Sequence, residues 1–567
     1  MRSNSIVLVN VHKKSDNNTY NNPTEHLGLA YLTAYLRHQG YTGVRIIDGY
    51  ALSLSTEEIF TELFEAPPEL LGITLEYNTF GEAVRLAQLV KSAFPSTHIV
   101  LGGEHATYAG ETILKEHPEI DFIIRGEGEL TLVELCEHLF VSSLPLDDIA
   151  GLAYRCSQVG SFRQNQDRPA IENLNTLPFP ARDTLERALS LGLRPAISML
   201  GSRGCPAKCS FCNAHKFFNI GGGAGWRPRS PENIIEELSA LLEKYHNYDI
   251  YPVVYFGDEN FVGPRSGLQR VRRFAELILE KNILFEYEIF CRTDSFYGEQ
   301  ELVGLLARSG LISVLMGIEA GSDEQLKSLK KGSSANKNFS SVQLFQQNNI
   351  TTSSSGFLMF NPYTTFLDLR KNVKFLLKIQ HATLYNMSCR VHAYPGLDMN
   401  RDLQKKGMFE SDYTHFKVDS ISFVDNRVQR LAEYLSEEVD LGLLRREDST
   451  MRDIDINMAR LFNIEGFQLD RGSEYTKFNV DCLYSHKKQV QNLTANFFLK
   501  LVGQAEVNTL SLESFRYAYA EYSKVMNDQM GLLDQAFGNV MRQMHDALVN
   551  SEDFGARVIP HSSTECS

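Results

Sequence analysis

Three cysteines, Cys205, Cys209 and Cys212, fall within eight residues of the stretch GSRGCPAKCSFCNAHKFF, at the spacing C-x3-C-x2-C. Thiolates this close, on a loop that follows a short apolar run, can converge on one metal centre without help from distant sequence. Two metals suit them. With His215 the set reaches the four ligands of a structural zinc site. Without it, three thiolates suit a 4Fe-4S cluster whose fourth iron stays open, and an open iron implies chemistry as well as electron storage. Zinc modules usually form small separate units, whereas this cluster opens a long alternation of strands and helices, where active-site loops lie. The other six cysteines, Cys136, Cys156, Cys291, Cys389, Cys482 and Cys566, stand far apart and read as inert thiols, with Cys566 on a frayed tail.

Downstream strand candidates each end in groups that could hold a charged ligand. YFGDENF brings Asp258 and Glu259, which could equally be a helix N-cap and a first-turn acid. The next strand ends in Cys291-Arg292-Thr293-Asp294. The guanidinium fork of Arg292 matches a carboxylate, and a surface ion pair is its other reading. A further strand runs into Gly317-Ile318-Glu319-Ala320-Gly321-Ser322. A carboxylate among glycines at a strand's carboxyl end is awkward as core, so Glu319 reads as a ligand contact.

Two alternations of strands and helices must position these groups. From Ser5 to about residue 142 the runs IVLVNV, VRIID, LLGITL, HIVLGG and DFIIRG are separated by amphipathic stretches. Branched, near-continuous strands joined by helices predict an α/β fold, a doubly wound (Rossmann-like) parallel sheet covered on both faces. Such sheets bind ligands beyond the carboxyl ends of their strands. There the chain carries Gly102-Gly103-Glu104-His105 and Gly126-Glu127-Gly128-Glu129. Residues 150–190 read as a hairpin and a proline-marked linker. A second set of strands follows at AISMLGS, YPVVYFG, FEYEIFC, ISVLMGIE, TTSSSGFLMF and TLYNMSCRV, enough for a partial (β/α)6 barrel of TIM type, open on one side. Beyond about residue 400 helical patterns dominate. The expected divisions are 1–148, a linker 149–192, a barrel 193–405 and a helical region 406–567.

The whole chain sets outer bounds. Its 567 residues are 43% hydrophobic, enough for a large core divided among several domains. No apolar run reaches the roughly 18 residues of a membrane span, and MRSNSIVLVNVHKKSD lacks a signal-peptide pattern, so the cytoplasm is the expected compartment. A net charge of −14 disfavours a nucleic-acid partner, because phosphate-backbone binders gain affinity from clustered Lys and Arg.

The cysteine spacing after the first barrel strand, with an aromatic, Phe211, between the last two cysteines, resembles the signature of the radical S-adenosylmethionine (radical SAM) superfamily. The resemblance implies that Cys205, Cys209 and Cys212 ligate a 4Fe-4S cluster. Its free iron would chelate S-adenosylmethionine, and one-electron reduction would cleave that molecule to a 5′-deoxyadenosyl radical and methionine. On the same resemblance Asp258 and Glu259 contact the amino group, Arg292 the carboxylate, Glu319 the ribose or amino group, and Gly356 lies against adenine. His392, in HAYPG, falls in the sixth-strand region, though a lone histidine there is more often core.

The N-terminal phrases PTEHLGLAYLTAYLRHQGY, LGGEHAT and FIIRGEGELTLVEL, with LPFPARD and WRPRSPENIIEEL, resemble the cobalamin-binding subgroup of that superfamily over about residues 5–400. The resemblance implies cobalamin lined by Gly102, Gly103, Gly126 and Gly128, with Glu127 and Glu129 as acceptors and His105 near either face. The chain lacks the D-x-H-x-x-G motif that supplies cobalt with a histidine, and a degenerate domain without cofactor is the alternative. The implied reaction is class B methyltransferase-like: cobalamin-dependent methylation of an unactivated carbon in a small-molecule or natural-product substrate, driven by an external one-electron reductant such as flavodoxin or ferredoxin. Radical cyclisation or ring contraction without methyl transfer, and a non-catalytic sensor, are the other readings. A methylthiotransferase comes last, because only Cys136 and Cys156 precede the cluster. No catalytic acid or base is singled out.

Overall fold

The computed structural model describes residues 2–12, 24–141, 144–156, 161–193, 196–246, 253–353, 356–410, 421–463 and 474–549. The expected tail with Cys566, and Ser354 and Ser355 within TTSSSGFLMF, lie outside the described residues. The chain forms two compact units. The first comprises Met1–Glu243, Pro252–Gly263 and Ala393–Ser420, and the second Lys244–Tyr251, Pro264–His392 and Ile421–Ser567.

The first unit begins with strands β1 (Ile6–Asn10), β2 (Val44–Asp48), β3 (Leu70–Thr74), β4 (His98–Gly102) and β5 (Phe122–Ile124), at the five positions expected. They pair in parallel in the order β2-β1-β3-β4-β5. Every residue of LLGIT in β3 is buried, as a strand covered by helices on both faces requires. The helix Thr56–Glu65 starts at a capping box, in which Ser55 and Glu58 exchange side-chain and backbone hydrogen bonds.

The hairpin expected in the linker belongs to this sheet. β6 (Leu152–Arg155) pairs antiparallel with β5, and β7 (Phe162–Gln164) with β6. The sheet thereby gains two strands on the β5 side, and Leu152 and Tyr154 join the core on the face that holds Leu29 and Leu132.

The second alternation begins in the same unit. β8 (Ile197–Met199) is followed by β9 (Ser202–Gly204), which pairs antiparallel with β10 (Trp226–Pro228), and β11 (Val253–Phe256) lies parallel to β8. The second unit holds β12 (Glu286–Arg292), β13 (Leu311–Gly317) and β14 (Thr351–Ser353), all parallel. The sixth expected strand, TLYNMSCRV, is instead a short helix, Leu384–Ser388, followed by a single parallel bridge between Arg390 and Phe360. Thr383 caps that helix, and buried Asn386 donates to His381 O at 3.0 Å, local bonds that outcompete a ladder.

Helices Asn426–Glu437, Leu441–Asn463, Glu474–Glu506 and Leu512–Val549 complete the second unit, as the helical pattern predicts. Tyr287 of β12 packs edge-on to Phe274 of helix Leu268–Glu280, at 5.6 Å between ring centres. Its neighbours Glu286 and Glu288 point to the other face, where Arg460 and Arg452 of helix Leu441–Asn463 bond them, at 2.9 and 2.7 Å. The C-terminal region is thus part of the barrel half, covering the sheet face that the outer helices leave open.

Candidate active site and cofactor sites

The cysteine loop is closed at its base by backbone pairing. β9 ends at Gly204 and β10 begins at Trp226, and the two residues are paired across the hairpin. Between them lie the three cysteines, all free thiols. Burial pushes the Cys212 thiol up to about 12, and Cys209 and Cys205 add to the shift as like charges. Three free thiols on one short loop fit a bound metal cluster, which stabilises thiolates outright. Among the described residues no three His, Cys, Asp or Glu side chains are grouped as a single ion would need, the zinc set with His215 included.

The segment Tyr394–Asp398, remote in sequence, clamps the loop. Asn213 donates to Pro395 O, Lys216 Nζ bonds Gly396 O at 2.7 Å and Asp398 at 2.6 Å, and Met399 N donates to Ser210 O at 3.0 Å. Phe211 is half-buried beside Cys212.

Asp258 and Glu259 tie the end of β11 to the hairpin base. Asp258 is buried and accepts from Gly201 N at 2.9 Å and from Ser202 Oγ, while Glu259 accepts from Gly204 N at 3.1 Å. The surrounding chain pushes the Glu259 carboxyl up to about 7, with Asp258 adding to it. Asp258 thus has protein donors of its own at the place where the amino group of S-adenosylmethionine is expected.

The same holds for the second glycine turn. Glu127 accepts from Arg227 at 2.7 Å and Arg203 at 3.1 Å, and Glu129 from Arg203 at 2.6 Å, all of them buried or nearly so. Burial raises the Glu127 carboxyl, but the two guanidinium groups outweigh it and hold it below the usual range. Gly126 has φ +71°, and a Cβ there would lie 2.8 Å from Ile220. The turn Gly126–Glu129, expected to line cobalamin, packs on protein from the cysteine loop's far end. A second network joins Arg182 to Glu25 and, at 2.6 Å, to Glu237, which also binds Arg229 at 2.5 Å. Arg203, Arg227, Arg182 and Arg229 escaped the sequence reading. Their signal was a local excess of arginine around the cysteines of an acidic chain.

The first glycine turn differs. Gly103 has φ +99°, and a Cβ there would crowd Leu75 O at 3.0 Å, so the turn after β4 requires glycine. Gly102 lies beside it, half-exposed. His105 is not at the edge: its ring is buried, edge-on to Phe80 at 5.5 Å, and burial pushes it down to about 4. One turn on, the Tyr108 hydroxyl is buried with no hydrogen-bond partner among the described residues. The ring of Tyr108 lies against Gly396, and Glu104 is hydrogen-bonded to Asn213. An orphaned hydroxyl and a glycine turn at the carboxyl edge fit a large polar ligand there.

In the second unit Glu319 is the singular residue. Its φ is +64°, rare for a side chain with a Cβ, and Ala320 N donates to Ile318 O at 2.8 Å across it, making a γ-turn of the strained hand. Its carboxylate is buried and accepts from Lys331 Nζ at 2.6 Å. Lys331, in KKG, was missed because a lysine pair ordinarily reads as solvated surface. Arg292 spans Asp294 in a fork, at 2.9 and 3.1 Å, and bonds Lys331 O at 2.6 Å. Arg292, Glu319 and Lys331 are thus brought together. Gly356 has φ +94° and is exposed, with open space where a Cβ would be.

Parallel strands with charged groups at their carboxyl ends, a loop of three free thiols and a doubly wound domain describe an enzyme with more than one cofactor site. Family models agree: residues 14–136 match the B12 binding domain and residues 199–376 the radical SAM superfamily. The chain is a radical SAM enzyme that carries a B12-binding domain, with a 4Fe-4S cluster, S-adenosylmethionine and cobalamin as its cofactors. It is 29% identical over 355 residues to an uncharacterized methyltransferase of Pyrococcus horikoshii, covering 62% of this chain and 73% of the relative. It is 29% identical over 330 residues to the anaerobic magnesium-protoporphyrin IX monomethyl ester cyclase of Rubrivivax gelatinosus, covering 57% of each. The solved structure of the cobalamin-dependent S-adenosylmethionine radical enzyme OxsB with aqua-cobalamin and S-adenosylmethionine bound shares the fold. Its TM-score is 0.70 at 18% identity, over 95% of this chain and 84% of that one. No described helix is long and apolar enough to cross a membrane.

Proposed function

We propose that the protein methylates an unactivated carbon of a small molecule or natural product. One observation carries the proposal: the cysteine loop and the carboxyl edge of the B12-binding domain are locked together in one compact unit, through Glu104 with Asn213 and Tyr108 against Gly396. When bound, the cluster and S-adenosylmethionine supply a 5′-deoxyadenosyl radical, and cobalamin supplies the methyl group.

The chain's own residues hold and shield these groups. Cys205, Cys209 and Cys212 ligate the cluster, and the clamp from Lys216 to Asp398 keeps their loop in place. Glu319, charge-balanced by Lys331, presents a fixed acceptor to the ribose or ammonium of S-adenosylmethionine, and Arg292, whose fork holds Asp294, fixes Lys331 through its carbonyl and adds positive charge for the carboxylate. Gly102, Gly103 and Tyr108 cradle cobalamin. Asp258, Glu127 and Glu129, bonded to protein donors, orient the loops around the cofactors. Both family matches fall within the expected segments 1–148 and 193–405, with the hairpin β6–β7 of segment 149–192 added to the sheet of the first and 406–567 following the barrel. The electron comes from a flavodoxin- or ferredoxin-type carrier in the cytoplasm, where free thiols such as the eight described cysteines stay reduced.

Methyltransferase and cyclase relatives match at the same 29% identity, so methylation is the first reading and cyclisation the second. Anaerobic reconstitution with iron, sulfide and hydroxocobalamin, followed by assay for 5′-deoxyadenosine and S-adenosylhomocysteine, tests it. Both products, and a substrate heavier by one methyl group, are expected. The deoxynucleoside alone would move the assignment to cyclisation, and neither product would leave a sensor.

A further inference from the structure

Asn260, the residue after Asp258 and Glu259, is fully buried. Its Nδ2 donates to Gly263 O at 3.4 Å and stands 3.9 Å from Cys205 Sγ, within reach for a donor to sulfur. A carbonyl oxygen and a ligating thiolate can only accept. Turning the amide over would set its Oδ1 against both, so the chemistry of the neighbours fixes the N–H side toward the sulfur. The backbone is fixed as well. Asn260 O accepts from Trp226 Nε1 at 2.9 Å and from Ser202 Oγ at 3.3 Å. Gly263, at φ +73°, lies so close under the Trp226 indole that a Cβ would strike the ring. The chain's one tryptophan therefore holds both ends of the short segment that carries the amide.

We propose that Asn260 is a positioning residue that sets the potential of the iron–sulfur cluster, donating its side-chain N–H to the Cys205 thiolate. The inference rests on the cluster reading of Cys205, Cys209 and Cys212. A hydrogen bond to a ligating sulfur stabilises the reduced cluster, which carries one more negative charge, more than the oxidised one, and so raises the reduction potential. The group acts through the ligand and does not reach the substrate. Its effect is on how readily the cluster accepts the electron that starts each turnover.

The test needs neither cobalamin nor substrate. Wild type, Asn260→Ser and Asn260→Asp are reconstituted anaerobically with iron and sulfide, assayed for iron and sulfide content, and titrated potentiometrically by EPR. The expected result is full cluster content with a midpoint more negative in Asn260→Ser, where the donor falls short, and more negative still in Asn260→Asp, which sets a charge beside the thiolate. Filled clusters with unchanged midpoints in both variants would overturn the proposal. Should neither variant take up a cluster, wild type labelled with 15N in its asparagine side chains decides. Coupling of 15N to the reduced cluster in pulsed EPR supports the hydrogen bond, and its absence overturns it. A wild type that takes up no cluster overturns the cluster reading itself, and this inference with it.

Discussion

Glu127, Glu129 and Asp258 in the first unit and Glu319 in the second are all carboxylates at or just beyond the carboxyl ends of strands, and each is buried or nearly so. They are held differently. Glu127 is shared by two arginines, Glu129 is bonded to one of them, and Asp258 takes a backbone N–H and a hydroxyl, none of the three with a positive φ. Glu319 has one side-chain partner among the described residues, Lys331, and stands in a strained γ-turn. Strain of this kind persists where the surroundings impose it, and it collects at ligand sites. A buried carboxylate saturated by protein donors has little left to offer a ligand, whereas one with a single cation and a fixed, strained backbone is poised to take another donor.

Substitutions can break this contrast. The largest effect belongs to the cysteines: Cys209→Ala, in reconstituted protein, should abolish the visible absorption of the cluster and all 5′-deoxyadenosine formation. Next comes Arg203→Met, which strands Glu129 and leaves Glu127 to Arg227 alone. Removing one partner of a buried ion pair costs about 3–5 kcal/mol, so the protein should lose thermal stability sharply in calorimetry. If the contrast holds, whatever folded protein remains should bind S-adenosylmethionine normally. Lys331→Met also strands a buried carboxylate and should cost stability of the same order, but it should in addition weaken S-adenosylmethionine binding by about tenfold or more, the worth of a charged hydrogen bond, in isothermal titration. Unchanged S-adenosylmethionine affinity in Lys331→Met would erase the distinction.

A smaller effect concerns Glu447, buried in helix Leu441–Asn463 with donors Leu384 N at 2.9 Å and Thr494 Oγ1 at 2.7 Å. Burial pushes its carboxyl from an ordinary 4.5 up to about 7, the two hydrogen bonds opposing. The folded protein then holds a proton that the unfolded chain has released between those values. Its contribution to stability is present below about 4.5 and lost as pH rises through about 7. Wild type should therefore show a steeper fall in unfolding temperature across that window than Glu447→Gln.

Sequence reading reached the fold through periodicity. The five parallel strands β1–β5 sit where branched runs stand between amphipathic stretches, because burial on both faces forces that pattern. It failed at TLYNMSCRV, where threonine and asparagine offer local bonds that close a helix, and it found the linker hairpin but not its place, which pairing with β5 decides. In the site, the cysteine spacing was legible because all three ligands lie on one loop. The partners of the carboxylates were not, since Arg203 meets Glu127 from 76 residues away and Lys331 returns to Glu319 after a helical turn.

The sequence alone determined which chemistry the chain can support: three clustered thiols, a glutamate at a strand end and glycine turns on a doubly wound sheet are local facts, readable from spacing. The tertiary structure decided which of those groups are spent on the scaffold. Charge neutralisation is settled by whatever the fold brings within a few ångströms, and the fold brought arginines to Glu127 and Glu129, a clamp to the cysteine loop, an amide to Cys205, and to Glu319 a single lysine.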